Sequence, residues 1–200
     1  MRDEDIIIVI LLGFQGSGKD VGLDFLETEE NFVRCSASDY LREEARLQEL
    51  PSDYDSLKDI GDSIRGEEGE GAVVRRAVER LIQNGARRIA VGSVRMVQEL
   101  LGLKENYTTF TMVVEAPIEL RRKRVFERNR EGDPKTLEEF RRRDLIDKRD
   151  GFELDKLFKL ADITIKNRGT LDEYHENIRR ELRRFEINDI EGNGLPVERR

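Results

Sequence analysis

Residues 13–20 read Gly-Phe-Gln-Gly-Ser-Gly-Lys-Asp and directly follow the apolar run 6–12. An apolar run, a glycine-rich loop, a lysine and then a segment compatible with a helix (21–27) are typical of a phosphate-binding loop. The backbone N–H groups of such a loop surround phosphate, and the start of the next helix adds the positive end of its dipole. The stretch therefore predicts a strand, a phosphate-binding loop and a helix in that order.

The loop matches the pattern G-x-x-x-x-G-K-[ST] at Gly13, Gly18 and Lys19, but not at Asp20. This last position is usually occupied by a Ser or Thr whose hydroxyl holds magnesium. The presence of Asp20 therefore affects the expected binding of metal more than the expected binding of phosphate. We expect Lys19 to reach the outer phosphates. The alternative is an ordinary glycine-rich turn, which does not account for a lysine at this spacing. The predicted phosphate-binding residues are Gly13, Gln15, Gly16, Ser17, Gly18, Lys19, Asp20 and Val21.

Length and composition favour a single acidic α/β domain. The 200 residues carry a formal net charge of −7, with 40% charged and 37% hydrophobic residues. That length suits one domain with inserted subdomains rather than a second full domain. The charge argues against a protein that coats nucleic acid, and the apolar run 6–12 is too short to span a membrane. The only cysteine, Cys35, excludes an internal disulfide and fits a reducing compartment. We therefore expect a cytoplasmic protein with neither nucleic acid nor membrane as a partner.

The order of segments predicts the fold. Short apolar or alternating runs alternate with helical patterns along the chain, which indicates a three-layer, doubly wound α/β fold with a five-stranded parallel sheet. Ligands of such sheets bind beyond the carboxyl ends of the strands. The predicted strands are 6–12, 32–35, 88–91, 110–114 and 161–166. The predicted helices are 20–27, 39–50, 56–65, 71–84, 117–129, 136–149 and 170–184.

Arginines accompany the predicted strand ends. Arg95 lies just past the predicted strand 88–91, Arg42 lies one helical turn after residues 38–39, and Arg65 follows residues 59–61. Arg121, Arg124 and Arg128 share one face of a predicted helix. Phosphoryl transfer needs neutralisation of charge on the transferred group, and guanidinium suits phosphate oxygens. An acidic protein with arginines there is consistent with a kinase that holds two phosphorylated substrates. The opposing interpretation is a solvated, salt-bridged helix face. We favour that interpretation for Arg122, Lys123, Arg141 and Arg142.

Four other residues have ordinary structural interpretations. Asp39 either caps the helix that it begins or binds substrate. Tyr40 belongs either to the core or to a substrate wall. We expect His175 to be a surface residue rather than a catalytic one, and Cys35 to pack at a strand end.

The chain resembles P-loop nucleoside monophosphate kinases over about residues 6–184. It is most similar to an archaeal-type branch that is dephospho-CoA kinase-like or deoxynucleoside monophosphate kinase-like. The matching segments are 13–20, 38–45, 57–65, 93–95, 115–117, 124–128, 132–136, 139–140, 143–144, 161–167 and 169–170. The resemblance implies an adenylate-kinase-like P-loop fold with helical acceptor-binding and lid insertions. It implies one domain over 1–186, with the acceptor-binding insertion at 36–84 and the lid at 125–150. We expect residues 187–200 to be a flexible tail.

The resemblance also implies roles for particular residues. The catalytic residues would be Lys19, Arg124 and Arg128, and the adenine-proximal residues would be Asn167, Gly169 and Thr170. The acceptor-binding residues would be Asp39, Arg42, Arg65 and Arg95. ATP would be the co-substrate and Mg²⁺ the cofactor. Related enzymes often carry an acid after the third strand, whereas residues 90–95 here contain none. We hypothesise that Asp20 holds the metal and compensates for the missing acid.

The reaction implied is transfer of the ATP γ-phosphate to a nucleoside or deoxynucleoside monophosphate. One alternative acceptor is dephospho-CoA, so the partners would be ATP and a small phosphorylated metabolite. Another alternative is a nucleotide-binding regulator with a degenerate kinase site, because fold alone does not decide function. A homodimer is left open.

Overall fold

A computed structural model describes residues 3–129, 133–149 and 153–190. Within these residues five strands form one sheet in the order β2-β3-β1-β4-β5, and each pair of neighbours is parallel. The strands are β1 (Asp3–Leu12), β2 (Val33–Cys35), β3 (Arg88–Val91), β4 (Tyr107–Glu115) and β5 (Ile163–Lys166). The five-stranded parallel sheet that the sequence predicts is confirmed.

Helices cover both faces of the sheet. In the described part of the chain they are α1 (Lys19–Glu29), α2 (Ala37–Leu47), α3 (Tyr54–Glu68), α4 (Ala72–Gln83), α5 (Val97–Asn106), α6 (Ile118–Arg128), α7 (Leu137–Arg149), α8 (Leu154–Leu160) and α9 (Leu171–Ile190). Together with the sheet they form the three-layer, doubly wound α/β fold. No helix in the described ranges is long and apolar enough to cross a membrane.

The central strand β1 is apolar from Ile6 to Leu12, where both of its faces are covered. Ile8 and Ile10 point into a core shared with α2, α3, α4, α5 and α8. Val9 and Leu11 point into the opposite core, which α1 and α9 close. All four side chains are fully buried. The loop that follows β1 is therefore fixed to the most enclosed strand of the sheet.

Several boundaries differ from those that the sequence predicts. Helix α2 begins after Ser36, whose Oγ accepts a hydrogen bond from the N–H of Asp39 at 3.2 Å, so Ser36 rather than Asp39 caps the helix. Helices α5 and α8 were not predicted. Helix α9 begins with a reciprocal capping pair, in which the N–H of Thr170 donates to Glu173 Oε2 and the N–H of Glu173 donates to Thr170 Oγ1.

The proposed insertions correspond to helical regions. The acceptor-binding insertion 36–84 contains α2, α3 and α4, and the lid 125–150 contains the end of α6 and all of α7. Residues 130–132 and 150 of the lid lie outside the described residues. Helix α9 includes 187–190 of the expected tail, whereas 191–200 lie outside the described residues. These domain boundaries remain predictions.

Candidate active site

The glycine-rich loop joins the end of β1 to the start of α1. The N–H of Ser17 donates to the carbonyl of Phe14 at 3.0 Å and closes the turn. Gly16 has a φ of 80°, in the left-handed region that favours glycine. A Cβ on Gly16 would lie 2.6 Å from the carbonyl oxygen of Arg121 in α6. Glycine is therefore required there for both backbone conformation and close packing.

Lys19 crosses from the loop to the end of the neighbouring strand. Its Nζ donates a hydrogen bond to the carbonyl oxygen of Gly92, just beyond β3, at 3.1 Å. The ammonium group is thus placed between the carboxyl ends of β1 and β3. A doubly wound sheet binds its ligands at this edge.

A cavity of about 680 Å³ lies beside the loop. Seven of the eight predicted phosphate-binding residues line it, and the exception is Ser17, which is buried within the loop. Arg95, Arg124 and Arg128 line the same cavity, as does Leu154 of α8. The fold therefore brings Lys19 and three arginines together around one space of a size suited to a small ligand.

Asp20 lies in the first turn of α1 and lines this cavity. Its side chain is 48% exposed and lies 3.7 Å from the Nη2 of Arg34, which also pairs with Asp24. Among the described residues no group of three or more His, Cys, Asp or Glu could hold a metal by itself. Mg²⁺ in phosphate-transfer sites is commonly held by one or two carboxylates together with substrate phosphates and water. Asp20 fits a magnesium ion bound in that way.

Arg124 hydrogen-bonds to the backbone behind the loop. Its Nη1 donates to the carbonyl of Ser17 at 3.3 Å, and its Nη2 donates to Asn167 Oδ1 at 3.1 Å. Burial lowers the pKa of Arg124, with the phenol of Tyr174 acting in the opposite direction. Arg124 thus connects the cavity, the loop and the end of β5.

Arg128 is held by a carboxylate that the sequence analysis did not single out. Its Nε and Nη2 each donate to one oxygen of Asp133 at 2.8 Å, and Gln15 Nε2 donates to Asp133 Oδ1 at 3.1 Å. The hydrogen bonds that Arg128 donates to Asp133 raise the pKa of Arg128, although burial opposes the shift. Asp133 therefore joins a predicted catalytic arginine to the phosphate-binding loop. The available signal was its place in the matching segment 132–136.

Two of the predicted acceptor-binding residues line a second cavity. Arg65 and Arg95 line this space of about 480 Å³ together with Glu99, and Arg95 lines the first cavity as well. Glu99 is buried, and its Oε2 accepts hydrogen bonds from the N–H groups of Arg95 and Met96. Burial raises the pKa of Glu99, although those hydrogen bonds and the nearby arginines oppose the shift. The second cavity is thus adjacent to the first and shares Arg95 with it.

The other two predicted acceptor-binding residues lie apart from these cavities. Arg42 Nη1 donates to Asp39 Oδ1 at 2.7 Å on the exposed side of α2. Neither residue lines either of the two cavities. Their role in acceptor binding remains a prediction that this arrangement does not support.

The predicted adenine-proximal residues contact the loop or the start of α9 rather than the cavity. Asn167 is buried, and its Nδ2 donates to the carbonyl of Ser17 at 2.8 Å. Thr170 caps α9, and a Cβ on Gly169 would meet the carboxylate of Glu173. None of the three lines the first cavity.

The residues with ordinary interpretations occupy structural positions. Tyr40 is buried, and the guanidinium of Arg80 lies 4.6 Å from the centre of its ring, which favours the core interpretation. Cys35 is buried, and burial raises its pKa to about 12. His175 is only partly exposed and stacks on Phe25 at 4.3 Å between ring centres. Arg122 and Lys123 pair with Glu119 and Glu127, as expected for a solvated helix face.

The chain has relatives over almost its whole length. No protein-family model matches it. A UPF0200 protein of Hyperthermus butylicus is 30% identical over 179 residues, which cover 90% of this chain and 95% of that protein. The chain belongs to the UPF0200 family. A second UPF0200 protein, from Pyrococcus horikoshii, is 31% identical over 182 residues, covering 86% of this chain and 94% of its own.

Solved structures resemble this UPF0200 chain in fold. Shikimate kinase from Acinetobacter baumannii in complex with shikimate matches with a TM-score of 0.52 and 18% identity, covering 90% of this chain and 95% of its own. Shikimate kinase from Bacteroides thetaiotaomicron matches with a TM-score of 0.54 and 13% identity, covering 88% and 98%. At such identities the likeness concerns the fold alone. The UPF0200 chain has a P-loop kinase-like fold.

Proposed function

We propose that this chain is an ATP-dependent small-molecule phosphotransferase whose acceptor is a nucleoside or deoxynucleoside monophosphate. The observation that carries the proposal is the convergence of Lys19, Arg124 and Arg128 with the glycine-rich loop around one cavity. A loop that only binds phosphate does not require two further guanidinium groups. Transfer of a phosphoryl group does benefit from them, since charge develops on the transferred group.

The residues of the site would act mainly by positioning and charge. The loop N–H groups and Lys19 would bind the β- and γ-phosphates of ATP. An oxygen of the acceptor would attack the γ-phosphorus, and the bond to the β,γ-bridging oxygen would break, with ADP leaving with the electron pair. Arg124 and Arg128 would neutralise charge on the transferred group. Asp20 would hold Mg²⁺, which supplies further neutralisation of the phosphate charge.

The second cavity would receive the acceptor. Arg95 lines both cavities, so its guanidinium can contact the acceptor close to the place of transfer. Arg65 lies farther along the second cavity and would bind a more distant part of the acceptor. About 480 Å³ of adjoining space also favours a second candidate, a dephospho-CoA kinase-like enzyme with an extended acceptor. Both candidates would act in the cytoplasm, and a homodimer remains a prediction.

The test is an assay of ADP release with Mg-ATP and a panel of acceptors. The panel contains the ribo- and deoxyribonucleoside monophosphates together with dephospho-CoA. We expect one nucleotide to give turnover that the Lys19→Ala variant lowers by at least about 100-fold, since Lys19 would contact the transferred phosphate. The matched control is Lys123→Ala, which removes an exposed lysine that pairs with Glu127.

Each other result would change the proposal. Turnover only with dephospho-CoA would establish the second candidate. Silence over the whole panel, with ATP still binding in calorimetry, would favour the nucleotide-binding regulator. Turnover that Lys19→Ala leaves unchanged would contradict the assignment of the site.

A further inference from the structure

Two carbonyl groups at the end of the glycine-rich loop are bound from the side of β5 and α9. The carbonyl of Ser17 accepts hydrogen bonds from Asn167 Nδ2 at 2.8 Å and from Arg124 Nη1 at 3.3 Å. The carbonyl of Gly18 accepts a hydrogen bond from Tyr174 Oη at 3.1 Å, in addition to its helical bond from the N–H of Gly22 at 3.0 Å. Side chains far along the sequence thus hold the backbone where the loop becomes a helix.

The glycines of this region match these side chains. A Cβ on Gly18 would collide with the amide nitrogen of Asn167. A Cβ on Gly22 would lie 2.5 Å from Tyr174 Oη. Glycine inside a helix is unfavourable by about 0.5–1 kcal/mol relative to alanine. Gly22 is therefore explained by the space that the tyrosine hydroxyl occupies.

Both side chains are enclosed and keep their donors. Asn167 is 5% exposed and Tyr174 is 2% exposed, and neither lines the cavity beside the loop. Burial raises the pKa of Tyr174, so its hydroxyl stays protonated and can donate to Gly18 at physiological pH. The hydrogen bonds to the loop therefore explain the positions of Asn167 and Tyr174 without a contact to a ligand in the cavity.

We infer that Asn167 and Tyr174 are positioning residues that set the affinity of the loop for the phosphate chain of its nucleotide. The inference rests on the proposed function. The C=O and N–H of one trans peptide unit point in opposite directions. Binding the carbonyl of Ser17 from behind therefore directs the N–H of Gly18 away from Asn167. In the same way, the hydrogen bond from Tyr174 to the carbonyl of Gly18 directs the N–H of Lys19 away from Tyr174. Gly18 and Lys19 both line the cavity.

The test measures binding of inorganic tripolyphosphate, a probe that has no adenine. Dissociation constants for tripolyphosphate and for ADP are measured by calorimetry with the whole chain, for wild type, Tyr174→Phe and Asn167→Ala. Losing the hydrogen bond from Tyr174 to the loop should weaken both ligands by the same factor, about 3- to 10-fold. Asn167→Ala should weaken both at least as much, since it also removes the acceptor of Arg124 Nη2. In the kinase assay, KM for ATP should rise by a similar factor while KM for the acceptor stays constant. The matched control is Tyr107→Phe, which removes a hydroxyl at the start of β4.

The results separate the inference from other roles of the same residues. If Asn167→Ala weakens ADP and leaves tripolyphosphate unchanged, Asn167 acts at the adenine and the inference is wrong. If the variants bind both ligands as tightly as wild type, the contacts only stabilise the fold, and the inference is wrong. Thermal unfolding of each variant shows that binding is measured on folded protein. If wild type binds neither ligand, the phosphate-binding function fails, and the inference fails with it.

Discussion

The carboxylate of Asp133 gives the sharpest prediction about stability, because it connects the residues before α7, through Gln15, to the glycine-rich loop. Its two oxygens accept two hydrogen bonds from Arg128 and one from Gln15. Replacing Asp133 with alanine removes all three bonds. It also leaves the guanidinium of Arg128 beside the loop without this counter-charge.

The magnitude follows from the burial of the pair. The side chain of Asp133 is 7% exposed and that of Arg128 is 29% exposed. Removing one partner of a fully buried pair costs about 3–5 kcal/mol, whereas exposed pairs contribute about 1 kcal/mol or less. Since water can reach Arg128, we expect Asp133→Ala to lower the free energy of unfolding by about 2–3 kcal/mol. For a chain of this size the unfolding temperature should fall by roughly 4–12 °C.

The assay is a double-mutant cycle read by urea unfolding. The cycle compares wild type, Asp133→Ala, Arg128→Ala and the double variant, and we expect a coupling energy of about 2 kcal/mol. The matched control is the exposed pair of Asp39 and Arg42, for which the same cycle should give little coupling.

Two results would refute this reasoning. Additive effects of Asp133→Ala and Arg128→Ala would show that the pair does not interact in solution. A loss of stability no larger than that of the control Asp39→Ala would show that Asp133 is exposed to water.

Four further predictions concern single side chains. Because burial raises the pKa of Glu99, the folded state binds the carboxyl proton more tightly than the unfolded chain does. The free energy of unfolding therefore falls as the pH rises and Glu99 becomes charged. In urea unfolding, Glu99→Gln should therefore gain stability relative to wild type as the pH rises above about 4, and a difference that does not change with pH would contradict this. Burial raises the pKa of Cys35 to about 12, so iodoacetamide should label it far more slowly in the native protein than in urea, as mass spectrometry can determine. Asp20→Asn should abolish Mg²⁺-dependent turnover but retain tripolyphosphate binding without metal, whereas full activity would exclude Asp20 as the metal ligand. Gly22→Ala should lower the unfolding temperature, and by less when Tyr174→Phe removes the hydroxyl it would meet.

The sequence predicts the loop well because its determinants are local. The apolar run before Gly13, the glycines and Lys19 all lie within about fifteen residues, and their backbone geometry depends on neighbours in the chain. The parallel sheet could also be predicted, because a chain in which strands and helices alternate can adopt few sheet topologies. Helix α5 was missed because Met96, which precedes it, is not a usual N-cap residue, although Glu99 accepts a hydrogen bond from its N–H.

Contacts between distant segments could not be read in the same way. Asn167 follows a predicted strand, so its position indicated a place near the ligand, whereas its amide turns toward the carbonyl of Ser17, 150 residues earlier. Asp133 is separated from Gln15 by 118 residues, and no local pattern joins them. The resemblance implies that Arg42 binds the acceptor, and the structure shows its guanidinium paired with Asp39 one helical turn away. Such outcomes depend on tertiary packing and on competition between partners of similar chemistry.

The position of Arg95 between the two cavities has a thermodynamic consequence. A guanidinium that contacts two ligands couples their binding. Each ligand changes the electrostatic potential at the guanidinium and its conformational freedom, and both affect how it binds the other ligand. The apparent affinity for either ligand then depends on the concentration of the other, and linkage requires the two effects to be equal. Dissociation constants determined with one ligand alone would therefore describe a different equilibrium from the one that operates when both are present.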